Sequence, residues 1–193
     1  MHRSDEIASV GVLPKIEPDC ALLTNISRDQ LDRFGEVDIT YNKLMTAVTS
    51  VPKTTLIINC DDIYLTLWRR KAKMHLSHMV SASRYLTMFH DLKYGRAFFA
   101  ANAERNWNIS FFHYGQLGLY HCPNCGWNRP NPEYTAEHVV REDELYSFDM
   151  DGIHFDPQIR TPYNIYNTLS AYAALKTMGA GYEHFKEMIE AFD

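Results

Sequence analysis

Four short stretches carry residue types that can do chemistry. The apolar run Ala21–Leu22–Leu23 stops at Thr24–Asn25 and passes into charges and amides between Arg28 and Asp38. Thr55–Asn59 ends in the same way, on Asn59, Cys60, Asp61 and Asp62. Tyr163–Ala174 opens with two amides one helical turn apart, Asn164 and Asn167. The fourth is Cys122-Pro-Asn-Cys125-Gly, whose two thiolates have the spacing to bind one tetrahedral ion. An apolar run that stops at polar groups reads as a buried strand delivering a loop to a site, and open α/β sheets bind ligands at the carboxyl ends of their strands. Each stretch also has a plainer reading. Asn25 or Ser27 can cap a surface helix, and Asn164 and Asn167 can cap theirs. Cys122 and Cys125 can form a redox pair, although Pro130 and Pro132 favour a ribbon turn over the helix such a pair opens.

The elements that must position these residues follow from periodicity. Tyr41, Leu44, Met45 and Val48 fall on one face of a helix over Asp38–Thr49. The β-branched strand Thr55–Asn59 comes next, as in a parallel sheet buried on both faces. Strand, helix, strand implies a right-handed crossover and a doubly wound sheet. Tyr146, Phe148 and Met150 alternate, Asp151–Gly152 makes a hairpin turn, and Ile153–Phe155 returns. A helix from Tyr163 stops at Gly179, and Tyr182–Phe192 reads as a last amphipathic helix. A helix over Met74–Met88 is also compatible with the pattern.

Bulk composition narrows the class. A chain of 193 residues with 46% hydrophobic content forms one domain of ordinary size. A net charge of −5 gives no global bias toward nucleic acid or anionic membrane. No stretch has the length and apolarity of a membrane span or signal core, which points to a cytoplasmic protein. Four cysteines do not make a secreted disulfide scaffold; Cys20 and Cys60 read as buried thiols.

Taken in order, TNISRDQLDRFGEVD, NCDD, GLYHCPNCGWNRPNP and YNIYNTLSAYAA resemble the central domain of the MurT family, the Mur-ligase-like subunits of lipid II isoglutaminyl synthase. The resemblance implies a Mur ligase central domain with a mostly parallel, doubly wound sheet and an inserted zinc-ribbon-like cysteine subdomain. It divides the chain into 1–63, the first part of that domain; 64–134, an insertion with the CPNC ribbon; and 135–193, the remainder. The family's phosphate-binding G-x-x-G-K-T loop occurs nowhere in these residues, and its C-terminal ligase domain is expected elsewhere. The chain therefore reads as a fragment, inactive alone. Its family's magnesium-site glutamate falls at Arg3, and Gln30 stands where many Mur ligases have a metal-binding histidine; Asp29 and Asp32 lie beside it.

Tyr64–Asn108 fits no family element as written. Reading each codon's third base with the next codon's first two forces alanine at Met74–His75, glycine at Met79–Val80 and glutamate at Trp107–Asn108. Allowed codons then turn 75–87 into a strand and loop and 98–109 into a second C-x-x-C, where the resemblance places one. The expectation is a displaced reading frame over part of 64–108, with a true insertion as the alternative. As written, only one C-x-x-C is present, and closure of a four-ligand site has to recruit His90, His113 or His121.

The implied chemistry is ATP-dependent activation of the D-glutamate α-carboxyl in the lipid II stem peptide. Ammonia from a GatD-like glutaminase partner then gives isoglutamine, at the inner face of the membrane. Phosphoryl transfer is largely positioning and charge neutralisation. Asn25, Asn59, Asp61 and Asp62 are the candidates to orient Mg²⁺, water or phosphate. Asn164 and Asn167 are the candidates beside the nucleotide, and Cys122 and Cys125 for Zn²⁺. Two other classes remain: a zinc-ribbon binding module without catalysis, and another Mur-fold ligase such as a folylpolyglutamate synthase.

Overall fold

The computed structural model describes residues 6–25, 37–62, 65–66, 76–82, 108–114, 117–123 and 126–191. Expectations that fall on 26–36, including Gln30, Asp29 and Asp32, and on Cys125 and His90 lie outside them.

Continuous apolar runs, Cys20–Leu23 and Leu56–Ile58, build the first two strands of the central sheet. Strands β1 (Cys20–Leu23) and β2 (Thr55–Asn59) run parallel, with Leu22 opposite Ile57. Strand β3 (Leu76–Ala82) pairs in parallel with β2, Asn59 opposite Val80. The hairpin strands β4 (Asn108–Tyr114) and β5 (Leu117–His121) form a separate antiparallel pair. The chain then returns to the main sheet as β6 (Tyr134–Glu142), parallel to β3. Strands β7 (Leu145–Met150) and β8 (Ile153–Phe155) extend it antiparallel, giving the order β1-β2-β3-β6-β7-β8.

The alternation sorts side chains onto two faces. Leu56, Ile58, Ala21 and Leu23 meet Leu13 of α1 (Glu6–Ile16) and Leu44, Met45, Ala47 and Val48 of α2 (Val37–Thr49). Ile57 and Leu22 meet Ile165, Tyr166 and Leu169 of α3 (Pro162–Met178), with Phe148, Met150 and Phe155 of the antiparallel strands. Helices therefore cover both faces, which is what β-rich apolar runs such as Leu56–Ile58 require. Thr54 Oγ1 donates to the Pro18 carbonyl at 2.7 Å and Thr55 N–H to that of Asp19 at 2.9 Å, fixing the β1–β2 register.

The β6–β7 and β7–β8 hairpins each close on two residues with positive φ: Asp143 and Glu144 (46° and 67°), then Asp151 and Gly152 (52° and 74°). Such turns match the strand twist. Helix α3 starts at Pro162 and ends at Gly179, whose φ of 64° lets Ala180 N–H reach the Leu175 carbonyl at 2.9 Å.

Three expectations change. Residues 76–82 form strand β3 rather than part of a helix over Met74–Met88. The main sheet thus draws a central strand from the 64–134 segment. Apart from Leu65 and Thr66, the rest of that stretch up to 107 lies outside the described residues, and the strand does not address the reading frame. The last amphipathic helix is shorter than 182–192: a 3₁₀ turn over Tyr182–His184 leads into α4 (Phe185–Glu190). Cys20 is only half-buried, its thiol pushed up by partial burial and by Asp19, whereas Cys60 is fully buried.

Candidate active site at the carboxyl ends of β1 and β2

Strand β2 delivers Asn59 to a tight turn. The Asn59 side-chain oxygen accepts the Asp61 N–H at 3.0 Å, and its carbonyl accepts that of Asp62 at 3.3 Å. An Asn at this point replaces a backbone turn with its own amide. Asn59, Asp61 and Asp62 are all fully buried.

The two carboxylates have different surroundings. Asp61 Oδ1 lies 2.7 Å from Arg129 Nη1, and Tyr166 donates its hydroxyl to Oδ2 at 2.9 Å. Burial and the adjacent Asp61 charge push the Tyr166 hydroxyl well up, so it stays a donor. Burial alone lowers the affinity of the Arg129 guanidinium for its proton; the Asp61 charge overrides that and the net shift is upward. Asp62 Oδ1 accepts the Leu65 N–H at 3.4 Å, and its carbonyl accepts Thr66 N–H at 3.2 Å, starting a helical turn. Each Asp61 oxygen thus accepts one hydrogen bond from a protein donor. Asn59 Nδ2 is buried with no hydrogen-bond partner among the described residues, the kind of orphan that calls for a functional account.

Asn25 follows β1. Since Leu23 stands opposite Ile58, Asn25 comes two residues on, beside the Asn59 turn on the neighbouring strand. Asn164 and Asn167 bond to each other, Nδ2 of Asn167 to Oδ1 of Asn164 at 3.1 Å. The cap of α3 is Thr161 rather than either Asn, and its hydroxyl makes no capping bond. The link between this helix and the strand ends is Tyr166, which reaches Asp61. Asn25, Asn59, Asp61 and Asp62 therefore share the strand ends, while Asn164 and Asn167 sit on the helix held against them.

The Cys122 turn closes through the backbone. Cys122 N–H donates to the Trp127 carbonyl at 2.8 Å, and Gly126 N–H donates to that of Cys122 at 2.9 Å. His121 pairs with Asn128 across it, its Nδ1 2.5 Å from Asn128 Oδ1. That bond occupies one of the two nitrogens His121 has to offer a metal. Among the described residues no group of three or more His, Cys, Asp or Glu side chains is placed to hold a metal ion. Where a zinc-ribbon subdomain is expected, the described residues form the strand pair β4–β5 and the backbone bonds around a buried Cys122.

Sequence reasoning missed Arg129, Tyr120, Thr66 and Tyr166. The Tyr120 hydroxyl donates to the Cys60 carbonyl at 3.1 Å and bonds Thr66 Oγ1. Nothing in local spacing marks Tyr120, Arg129 and Tyr166, because they meet the Asn59–Asp62 turn from 60 to 105 positions along the chain, and Thr66 is marked only through Tyr120.

A family model described as the Mur ligase middle domain matches residues 1–175. The MurT subunit of lipid II isoglutaminyl synthase from Staphylococcus aureus (strain COL) is 27% identical over 188 residues, and that from Streptococcus pneumoniae (strain ATCC BAA-255 / R6) is 32% identical over 194. These alignments cover 97% and 95% of this chain but 42% and 41% of the relatives, so the chain spans about two-fifths of their length. A pseudomurein peptide ligase type C from Methanothermus fervidus superimposes with a TM-score of 0.62 at 19% identity, over 92% of this chain and 34% of that one. MurF from Acinetobacter baumannii gives 0.56 at 14%, over 97% and 31%. These two likenesses are of fold, a mixed α/β sheet. By its matching family model, then, this chain belongs to the Mur ligase middle-domain family.

Proposed function

We propose that this chain is the middle domain of an ATP-dependent ligase subunit that amidates the D-glutamate α-carboxyl of the lipid II stem peptide. The carboxylate takes the γ-phosphoryl group of ATP, giving an acyl phosphate and ADP. Ammonia from a GatD-like glutaminase then attacks the acyl carbon and expels phosphate, leaving isoglutamine. The observation that carries the reading is the likeness to MurT-named relatives over nearly all of this chain. The reaction would take place in the cytoplasm, at the inner face of the membrane. Among the described residues no helix is long and apolar enough to cross a membrane.

The strand ends suit ATP in part. Asn59 offers a buried, unpaired amide N–H₂, and Asn25 follows the neighbouring strand. Asn164, near the start of α3, is the candidate for the base. Mg²⁺ would neutralise phosphate charge. Asp61, held by Arg129 and Tyr166 with one contact on each oxygen, keeps a further lone pair on each for that ion. Asp62, with Oδ1 on the Leu65 N–H, is the second candidate carboxylate of the same turn. The test is a titration of Mg²⁺·ATP followed by amide NMR. Shifts at Asn59, Asp62 and Asn164, weakened by Asn164→Ala, support the reading; unchanged spectra at millimolar nucleotide count against it.

Zinc has a narrower basis. Backbone bonds from Cys122 to Gly126 and Trp127 bracket the C-x-x-C, and Cys122 is its one described thiol. Metal analysis of the purified chain decides it: about one zinc per chain supports the site, and a metal-free folded chain removes it.

A further inference from the structure

Three separate groups from one segment converge on the turn that ends β2. Gly118 N–H of β5 donates to the Asp61 carbonyl at 3.2 Å. The Tyr120 hydroxyl donates to the Cys60 carbonyl at 3.1 Å. Arg129, whose own N–H bonds the Tyr120 carbonyl at 3.0 Å, places Nη1 2.7 Å from Asp61 Oδ1 and 3.6 Å from Cys60 Sγ. Arg129 sits two residues beyond Trp127, which closes the Cys122 turn. The Asp61 carboxylate is fully buried and Arg129 only 16% exposed, so solvent does little to replace this contact. From the opposite side, Tyr166 of α3 holds the other carboxylate oxygen.

We infer that Arg129 is a positioning residue for the Asn59–Asp62 turn, and that it couples the Cys122–Asn128 turn to the carboxyl end of β2. Arg129 neutralises a carboxylate that burial would otherwise drive to its protonated form or out of the interior. With Asp61 turned onto Arg129 and Tyr166, its N–H falls on the Asn59 side-chain oxygen, which leaves Asn59 Nδ2 as the group without a partner. A shift of the Cys122 turn therefore moves the orientation of Asn59. This inference deepens the proposed function by naming what sets the geometry of its strand end.

The test is hydrogen exchange on the whole chain, comparing wild type with Arg129→Met, Arg129→Lys and Asp61→Asn. Arg129→Met is expected to speed exchange of the Asp61, Asp62, Leu65, Thr66 and Gly118 amides by about 100-fold, the scale of a broken buried ion pair. The amides of Phe148 and Phe155 are expected to stay as in wild type. Arg129→Lys, which keeps the charge, recovers part of the protection. Because Arg129 acts through Asp61, adding Asp61→Asn to Arg129→Met is expected to cost less than the two single effects combined. The inference is overturned if Arg129→Met loosens only 118–128 and leaves 61–66 protected, or if the two substitutions add fully. If Arg129→Met does not fold, Arg129→Lys and Asp61→Asn carry the same comparison. Absence of nucleotide binding in wild type would count against the proposed function while leaving this exchange pattern to stand or fall alone.

Discussion

The hydroxyl of Tyr166 donates to Asp61 Oδ2 at 2.9 Å, joining the second turn of α3 to the turn that ends β2. The two residues are 105 positions apart. This bond ties the helix bearing Asn164 to the strand bearing Asn59. Both partners are fully buried or nearly so. Tyr166→Phe is expected to cost about 2 kcal/mol, the worth of a hydrogen bond to a buried charge. Urea unfolding checks it: a lowered midpoint with an unchanged slope is expected, and an unchanged midpoint would show that the bond contributes nothing.

Asp149 lies between two histidines on an exposed patch of the sheet, 2.7 Å from His154 Nδ1 and 2.8 Å from His138 Nδ1. A carboxylate only accepts, so each imidazole donates. The hydrogen bonds from His154 and then His138 hold the Asp149 carboxyl below its ordinary 3.8. A depressed carboxylate contributes stability that is present above its unfolded value and is lost as pH falls through its folded one. The Asp149 carboxyl carbon is expected to titrate below pH 3.8 and to move up toward that value in His138→Ala/His154→Ala. An NMR titration reads both; a midpoint unmoved by the double substitution would contradict the assignment.

Gly179 ends α3 with φ of 64°, a conformation that costs a β-carbon. Gly179→Ala is expected to destabilise by about 1 kcal/mol, and Gly179→Asn by less. Thermal unfolding of the pair gives the order, and equal stability of the alanine variant would contradict it.

Leu56 and Leu169 are both fully buried, in the two clusters on opposite sides of the sheet. Leu56→Ala and Leu169→Ala are each expected to cost about 2–5 kcal/mol. Because the sheet separates the cavities, their effects are expected to add in the double variant within about 0.5 kcal/mol. A large coupling energy would contradict the two-face arrangement.

The elements with strong local signals were legible. The alternation of Tyr146, Phe148 and Met150, the Asp151–Gly152 turn and the glycine stop of α3 all appear as the sequence implies. Leu56, Ile57 and Ile58 divide between the two clusters, as a run apolar on successive residues demands. The Asp143–Glu144 turn was not legible, since neither residue is the glycine or asparagine that marks such turns. Residues 76–82 gave a helix-compatible pattern because a central parallel strand lacks alternation; neighbours β2 and β6 decide its form. At the site, the ordered polar ends of the runs pointed to Asn59, Asp61 and Asp62. What they could not show is that Asp61 is committed to Arg129 and Tyr166, because that depends on long-range packing.

The most direct measurement replaces the middle domain of a MurT-type subunit with residues 1–175 of this chain. The chimera, with its glutaminase partner, is then given lipid II, ATP, Mg²⁺ and glutamine, and the stem peptide is examined by mass spectrometry. The proposed function predicts ATP- and glutamine-dependent conversion of the D-glutamate α-carboxyl to its amide. A folded chimera that binds the partner yet forms no amide would contradict it.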